Sequence, residues 1–390
     1  MQVVSPSLAS KRLTEQNKNI LNGATSSCRG RHMVSRRKAI SHVARSLAAV
    51  AGFAGWRQSN APSEAFEAAN NQIGRWPARA VREIDRDEWR RKLTQDGIEE
   101  PLAAQLANYV RPSIALVPRP AATPDQSAVG RSRLGGRPDL PRGMKWPMRQ
   151  PYSLVYPRGN RPAMEKQRPL AFLAQINLAD VASCGGTNLS IPSSGLLSFF
   201  YDAESQPWGF DPGDSVGFLL MWSGEQLLEP QEPPQTLHAI FNPVLLEAQP
   251  RECIPPPSSF AMSQLFERSA DPKSARNQLE TLFSKEETKT RYWTSHHAFG
   301  GWPCPIQGEM ETECQLVTNG VFCGLPEGYS TRKAMRLRPG AADWRLVLQL
   351  ASDKRAGFEW GDSGSVYVWM RDQDVRAGRF DQCWTILQCY

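Results

Sequence analysis

The sequence predicts a mainly β (α+β) fold: a roll built from two related β units, with a helical segment ahead of them. Three observations predict it. First, a string of motifs occurs twice in the same order. Leu134-Gly135-Gly136-Arg137-Pro138 returns as Phe299-Gly300-Gly301-Trp302-Pro303, and Phe172-Leu173-Ala174-Gln175-Ile176 returns as Leu346-Val347-Leu348-Gln349-Leu350. Gly195 and the apolar run after it return at Gly364. Second, 31 prolines and 29 glycines in 390 residues favour short elements joined by turns. Third, 40% apolar residues, with twelve Trp and fifteen Phe, are enough for a sizeable core.

The chain opens with a leader, 1–61. Of the formal charge of +7, this leader holds +9, so residues 62–390 carry −2. A body so close to neutral has no polyanion footprint, which speaks against a nucleic-acid partner. The local basic cluster of Arg332, Lys333, Arg336 and Arg338 reads as a solvated face. Ser35-Arg36-Arg37-Lys38 precedes a weakly apolar stretch and the small-residue exit Ser59-Asn60-Ala61. That order is the layout of a secretory signal, here of twin-arginine type, and it predicts a periplasmic protein. The competing reading is a disordered basic leader on a cytoplasmic protein. No apolar run approaches the roughly 18 residues of a membrane span, so no integral membrane segment is expected.

A polar linker, 62–77, leads into the domain, 78–390. Val81, Ile84, Trp89 and Leu93 recur at helical spacing, as do Leu102, Leu106 and Tyr109, with Pro101 in the first turn of the second helix. Arg111-Pro112 ends that helix, because the residue before proline is pushed out of the α region. Residues 114–117 read as a strand, and 78–130 as helices and lead-in. The first unit, 131–222, holds strands at 170–176, 196–201 and 216–222. Asp211-Pro212-Gly213-Asp214 is a turn in which proline fixes φ and Asp caps its own backbone. Residues 223–290 break the pattern with Pro233-Pro234 and Pro255-Pro256-Pro257, contain a helix near 275–283, and read as an insertion. The second unit, 291–390, holds strands at 344–350, 365–370 and 384–389. Neither unit has strands enough to bury both faces, so two sheets sharing one core are expected, with the helices of 77–109 covering one side.

With these motifs in view, the chain resembles the YwqG-like family, a bacterial domain of unknown function (DUF1963). The resemblance covers most of 112–390. It rests on Ser132-Arg133-Leu134-Gly135-Gly136 with Pro138, on Trp146-Pro147, on the strand around Gln175, on Trp208-Gly209, on Trp360-Gly361-Asp362 and on Ile386-Leu387-Gln388-Cys389. It implies a mainly β roll with internal pseudo-symmetry, and it implies no reaction, ligand or cofactor.

The chemistry-bearing residues each have a structural explanation. Gly361-Asp362-Ser363-Gly364 resembles a serine-protease nucleophile segment, yet such a serine needs a histidine and an orienting acid. Beyond the leader only His238, His296 and His297 are available, so Ser363 reads as a turn residue. On a strand His296 and His297 would point to opposite faces, which argues against one shared metal ion. Cys184, Cys253, Cys304, Cys314, Cys323, Cys383 and Cys389 contain no Cys-x-x-Cys. They would be buried thiols in a cytoplasm; in a periplasm Cys304, Cys314 and Cys323 are the nearest candidates for pairing. Asp202, Asp211, Asp214, Glu359 and Asp362, close to Trp208 and Trp360, form the remaining set. Turn capping explains these acids best, and a paired-carboxylate hydrolase is the alternative.

The expected function is therefore non-catalytic. It is binding of a protein or small ligand in the cleft between the units, with Trp208, Asp211, Asp214, Glu359, Trp360 and Asp362 as contacts and with no metal or cofactor. Gly135, Gly136, Pro138, Gly300, Gly301 and Pro303 are expected to serve architecture. So are Gln175 and Gln349, each fixing the Gly-Gly-x-Pro turn of its own unit.

Overall fold

The computed structural model describes residues 83–119, 128–151, 166–224, 227–285 and 296–390. The leader, 1–61, and the linker, 62–77, lie outside the described residues.

Helix α1 (Arg86–Gln95) begins where the Asp85 carboxylate accepts a bond from Glu88 N at 2.9 Å. It buries Trp89 and Leu93. Helix α2 (Glu100–Ala107) carries Pro101 in its first turn and leads to β1 (Arg111–Pro118). Next come β2 (Arg133–Leu134), β3 (Asp139–Pro141), β4 (Met148–Arg149), β5 (Arg168–Pro169) and β6 (Ala171–Asn177). After α3 (Leu178–Ser183) the chain forms β7 (Leu196–Tyr201), β8 (Phe218–Ser223), β9 (Leu228–Pro230) and β10 (Val244–Cys253). Helices α4 (Phe260–Arg268) and α5 (Pro272–Ser284) precede β11 (Ala298–Phe299), and α6 (Glu311–Val317), α7 (Pro326–Tyr329) and α8 (Arg332–Leu337) follow it. The chain closes with β12 (Trp344–Ala351), β13 (Ser365–Arg371), α9 (Asp372–Arg376) and β14 (Trp384–Gln388).

Ten strands make one antiparallel sheet in the order β14-β13-β12-β11-β1-β10-β2-β6-β7-β8. Two sheets were expected from the sequence; a single one wraps both sets of strands around one core. Its outer strands are drawn together until the sheet nearly closes. The Phe218 ring of β8 meets the Trp384 ring of β14 edge-on at 5.3 Å, and Leu387 N donates to Trp208 O at 3.1 Å. The shared core contains Leu173, Phe199 and Tyr201 from one flank and Leu348, Val366 and Trp384 from the other.

Segment 223–290, expected as an insertion, supplies β10 to the middle of this sheet. Strands β1 and β10 pair from Arg111↔Cys253 to Pro118↔Leu246. Each then hands over to a short strand ending at a Gly-Gly pair: β1 to β11 and β10 to β2. The helices of 77–109 do not cover the sheet's core as expected. With α4 and α5 they enclose a second core, in which Trp89, Leu93, Leu102 and Leu106 meet Met262, Phe266, Leu279 and Leu282. Among the described residues no helix is long and apolar enough to cross a membrane.

Candidate functional site

The six expected ligand contacts gather at the seam between the outer strands, where most of them are part of the packing. Asp211 and Asp214 are buried and form a reciprocal capping box on the 3-10 turn Pro212–Val216. Asp214 Oδ2 also accepts from Gly209 N at 2.9 Å. The Trp360 ring is 1% exposed and stands edge-on to Tyr201, centroids 5.8 Å apart, with Phe241 and Phe358 around it. Trp208 is half-buried against the shared core. Glu359 and Asp362 are exposed. Their loop is latched by Gln206, which accepts from Gly361 N at 3.1 Å and donates to Glu359 O at 3.0 Å. Asp202 faces Arg149 in a buried ion pair of 3.1 Å.

The eight architectural residues sit at two separate turns. Gly135 has φ +53, and a Cβ there would lie 2.4 Å from Asn242 O; Gly136 and Pro138 continue that turn. Gly301 has φ +76, and a Cβ there would lie 2.6 Å from Ser113 Cβ; Gly300 and Pro303 flank it. Gln175 and Gln349 are fully buried, each bonded to backbone on both sides of its own glycine pair.

A histidine–aspartate pair is present but committed. His297 is buried, its Nδ1 accepts from Ala351 N at 3.3 Å, and its Nε2 lies 3.2 Å from Asp353 Oδ2. With Nδ1 accepting, the proton sits on Nε2 and goes to Asp353. Burial lowers the imidazole pKa further, against the pull of Asp353. Both ring nitrogens are engaged, so this is a structural pair rather than a base awaiting a nucleophile. Ser363 is exposed at φ +51 in the Glu359 loop. Cys314 and Cys323 are buried thiols. No group of three or more His, Cys, Asp and Glu among the described residues is arranged to hold a metal ion.

Sequence reasoning missed a different cluster, centred on Arg111. This arginine is the first residue of β1, opposite Cys253 of β10. Its guanidinium lies 3.4 Å from the centroid of the Trp302 ring, a cation–π contact. Trp302 is held from both ends: its N donates to Cys253 Sγ at 3.1 Å and its Nε1 to Tyr109 O at 2.7 Å. Glu311, the first residue of α6, is 4% exposed, and its Oε1 has no hydrogen-bond partner. Burial pushes its carboxyl up to about 7; Glu309 adds to the rise and Arg111 opposes it. Arg111 and Glu311 therefore feel each other's charge without forming an ion pair. Burial and the neighbouring Arg345 pull the guanidinium pKa down to about 9. Only the alternation Glu309-x-Glu311-x-Glu313 marked this cluster in the sequence, and acids at helix starts are commonplace.

An open groove of ≈ 420 Å³ lies among residues 256–258, 276–283 and 305–308. Pro256, Pro257, Phe283, Pro305, Ile306 and Gln307 are among its lining residues. Pro256 and Pro305 stand three residues beyond Cys253 and Trp302, the two residues that contact or pair with Arg111. The lining mixes apolar residues with Gln307, Ser258, Arg276 and Glu280.

A family model described as a domain of unknown function, DUF1963, matches residues 132–389. No curated protein matches the chain.

Proposed function

This chain belongs to the DUF1963 family, and we propose that it is a non-catalytic binding protein of two related β units whose ligand site lies where β1 meets β10 and β11. The observation that carries this reading is the contrast between two places in the fold. The histidine and the capping acids of the seam are committed to structural bonds, whereas Arg111 is held by an aromatic face with its five N–H donors unused among the described residues. A cation positioned on an aromatic face with spare donors is a recognition element.

The two-unit reading is supported by register. Ile114 of β1 meets Phe299, as Val244 of β10 meets Leu134. Gly135 N donates to Leu173 O at 2.8 Å, as Gly300 N donates to Val347 O at 3.0 Å. Irregularities fall at 172/174 on β6 and at 346/348 on β12. On this reading β1 and β10 are counterparts, each paired with the other unit's glycine-turn strand, which places Arg111 at the junction of the units.

The experiment is incubation of the full chain with a small-molecule cell extract, followed by mass analysis of what is retained. The expected result is a component enriched by wild-type protein, returned with unchanged mass and lost from Arg111→Ala. A component consumed with formation of product favours the second reading, a carboxylate-dependent hydrolase. The raised carboxyl of Glu311 supports that alternative, since a protonated acid near neutral pH suits general acid catalysis.

The proposed location is the periplasm, on the strength of the Ser35-Arg36-Arg37 leader. Fractionation of tagged protein carrying Arg36→Lys and Arg37→Lys tests it. Retention in the cytoplasm is expected, and an unchanged location rejects the route.

A further inference from the structure

We infer that the Arg111–Trp302–Glu311 cluster recognises an oxyanion group, a carboxylate or phosphate, on the ligand. The inference rests on the binding reading above and names the chemical class of what binds.

Arg111 makes a cation–π contact, and no hydrogen bond or ion pair of its guanidinium is present among the described residues. Contact with the Trp302 face leaves the guanidinium N–H groups free of protein partners among the described residues, and such a fork can meet two oxygens of a carboxylate or phosphate at once. The ring itself is fixed by Cys253 and by Tyr109 O, so the arginine's platform is preorganised. A second cation, Arg345, acts on Arg111 from β12, with its Nη1 held by Ala342 O at 2.6 Å and Trp344 O at 2.9 Å. Glu311 and Asp372 oppose that second positive charge without forming an ion pair with Arg111.

Glu311 supplies the complementary part. Its Oε1 is buried and unpartnered, an arrangement that costs free energy until something polar arrives. Protonated, it is a hydrogen-bond donor for an oxyanion bound by Arg111. The charged and titratable groups acting on this pair are Glu309 on Glu311, and Arg345, Cys253 and Asp372 on Arg111. Asp372 is itself paired with Arg376 at 2.6 Å. Among the described residues no carboxylate is hydrogen-bonded to the Arg111 guanidinium, and a cationic ligand would be repelled by Arg111 and Arg345.

The test is calorimetric titration of the full chain with acetate and, separately, inorganic phosphate. Acetate stands for a carboxylate ligand and phosphate for a phosphorylated one; the tighter binder identifies the source. Saturable binding is expected for at least one, weakened at least about tenfold in Arg111→Gln. If Arg111→Gln does not fold, Arg111→Lys replaces it, with weaker binding expected because an ammonium cannot present a fork. Acetate binding should also weaken as pH rises through about 7 in wild type and lose that dependence in Glu311→Gln. Absence of binding to both anions overturns the inference, as does equal binding by wild type and the folded Arg111 variant. If the extract experiment still yields an Arg111-dependent component, only the oxyanion class has failed; if it yields none, the binding reading has failed with it.

Discussion

Gln175 and Gln349 make the same two bonds in two places. Gln175 accepts from Asp139 N at 2.9 Å and donates to Arg131 O at 2.8 Å. Gln349 accepts from Cys304 N at 2.9 Å and donates to His296 O at 3.2 Å. In each case the two backbone partners stand four residues before and four residues after the first glycine of the pair, Gly135 or Gly300. One amide thus closes each glycine turn into a loop pinned at both ends.

Replacing either glutamine by leucine should therefore destabilise the protein. Each change leaves a buried N–H and a buried C=O unmet, at about 1–3 kcal/mol per group. Urea unfolding of Gln175→Leu and Gln349→Leu checks this, with a similar loss expected for both. A variant as stable as wild type would show that the turn holds without its pin.

The near-closure of the sheet depends on Gly209. It has φ +88, and a Cβ there would stand 2.1 Å from Thr385 O on β14. Gly209→Ala should cost at least about 2 kcal/mol, because backbone has to move. Gly97→Ala is the comparison: φ is +99 but nothing lies within 4 Å, so only the conformational term of about 1–2 kcal/mol applies. Thermal melts of the pair separate close approach from backbone strain.

Stability should respond to pH from both sides. Glu311 has its folded pKa raised to about 7, above the ordinary 4.5, so its contribution is complete below 4.5 and is lost as pH rises through 7. His297 has its folded pKa lowered below 6.5, so its contribution is present above 6.5 and is lost as pH falls. Burial raises the Asp353 carboxyl, but the bonds from His297 and Arg355 outweigh this and hold it well below 3.8, which extends the acid-side loss. Denaturant midpoints across pH should show Glu311→Gln flattening only the alkaline limb. A limb unchanged by that substitution would remove Glu311 as its cause.

Ser363 sits at φ +51 on an exposed loop, a backbone region that glycine enters without strain. Ser363→Gly should be neutral or stabilising by under about 1 kcal/mol. A large loss in thermal stability would assign the hydroxyl a role beyond the turn.

The long strands other than one were legible because their residues are largely apolar; β6, β7, β12 and β13 are buried along nearly their whole length, whereas the two- and three-residue strands carry no such run. Strand β10 was not. Glu247, Gln249, Pro250, Arg251 and Glu252 make it read as loop, and a proline argues against a strand within a sheet. It forms because β1 pairs with it along its length. The same blindness hid the candidate site. Arg111 reads locally as the stop before Pro112, and Trp302 as the variable position of a glycine turn. Only long-range pairing brings the arginine onto the ring and α6 beside them. The capping role of Asp211 and Asp214 was legible because Asp-Pro-Gly-Asp is a local signal.

The most direct test is a high-resolution crystal structure of the full chain soaked in phosphate. An oxyanion on the Arg111 guanidinium, with Glu311 Oε1 as its second contact, is the predicted result. A direct Arg111–Glu311 ion pair, or an Arg111 whose donors are taken up by the protein's own carbonyls, would contradict the account.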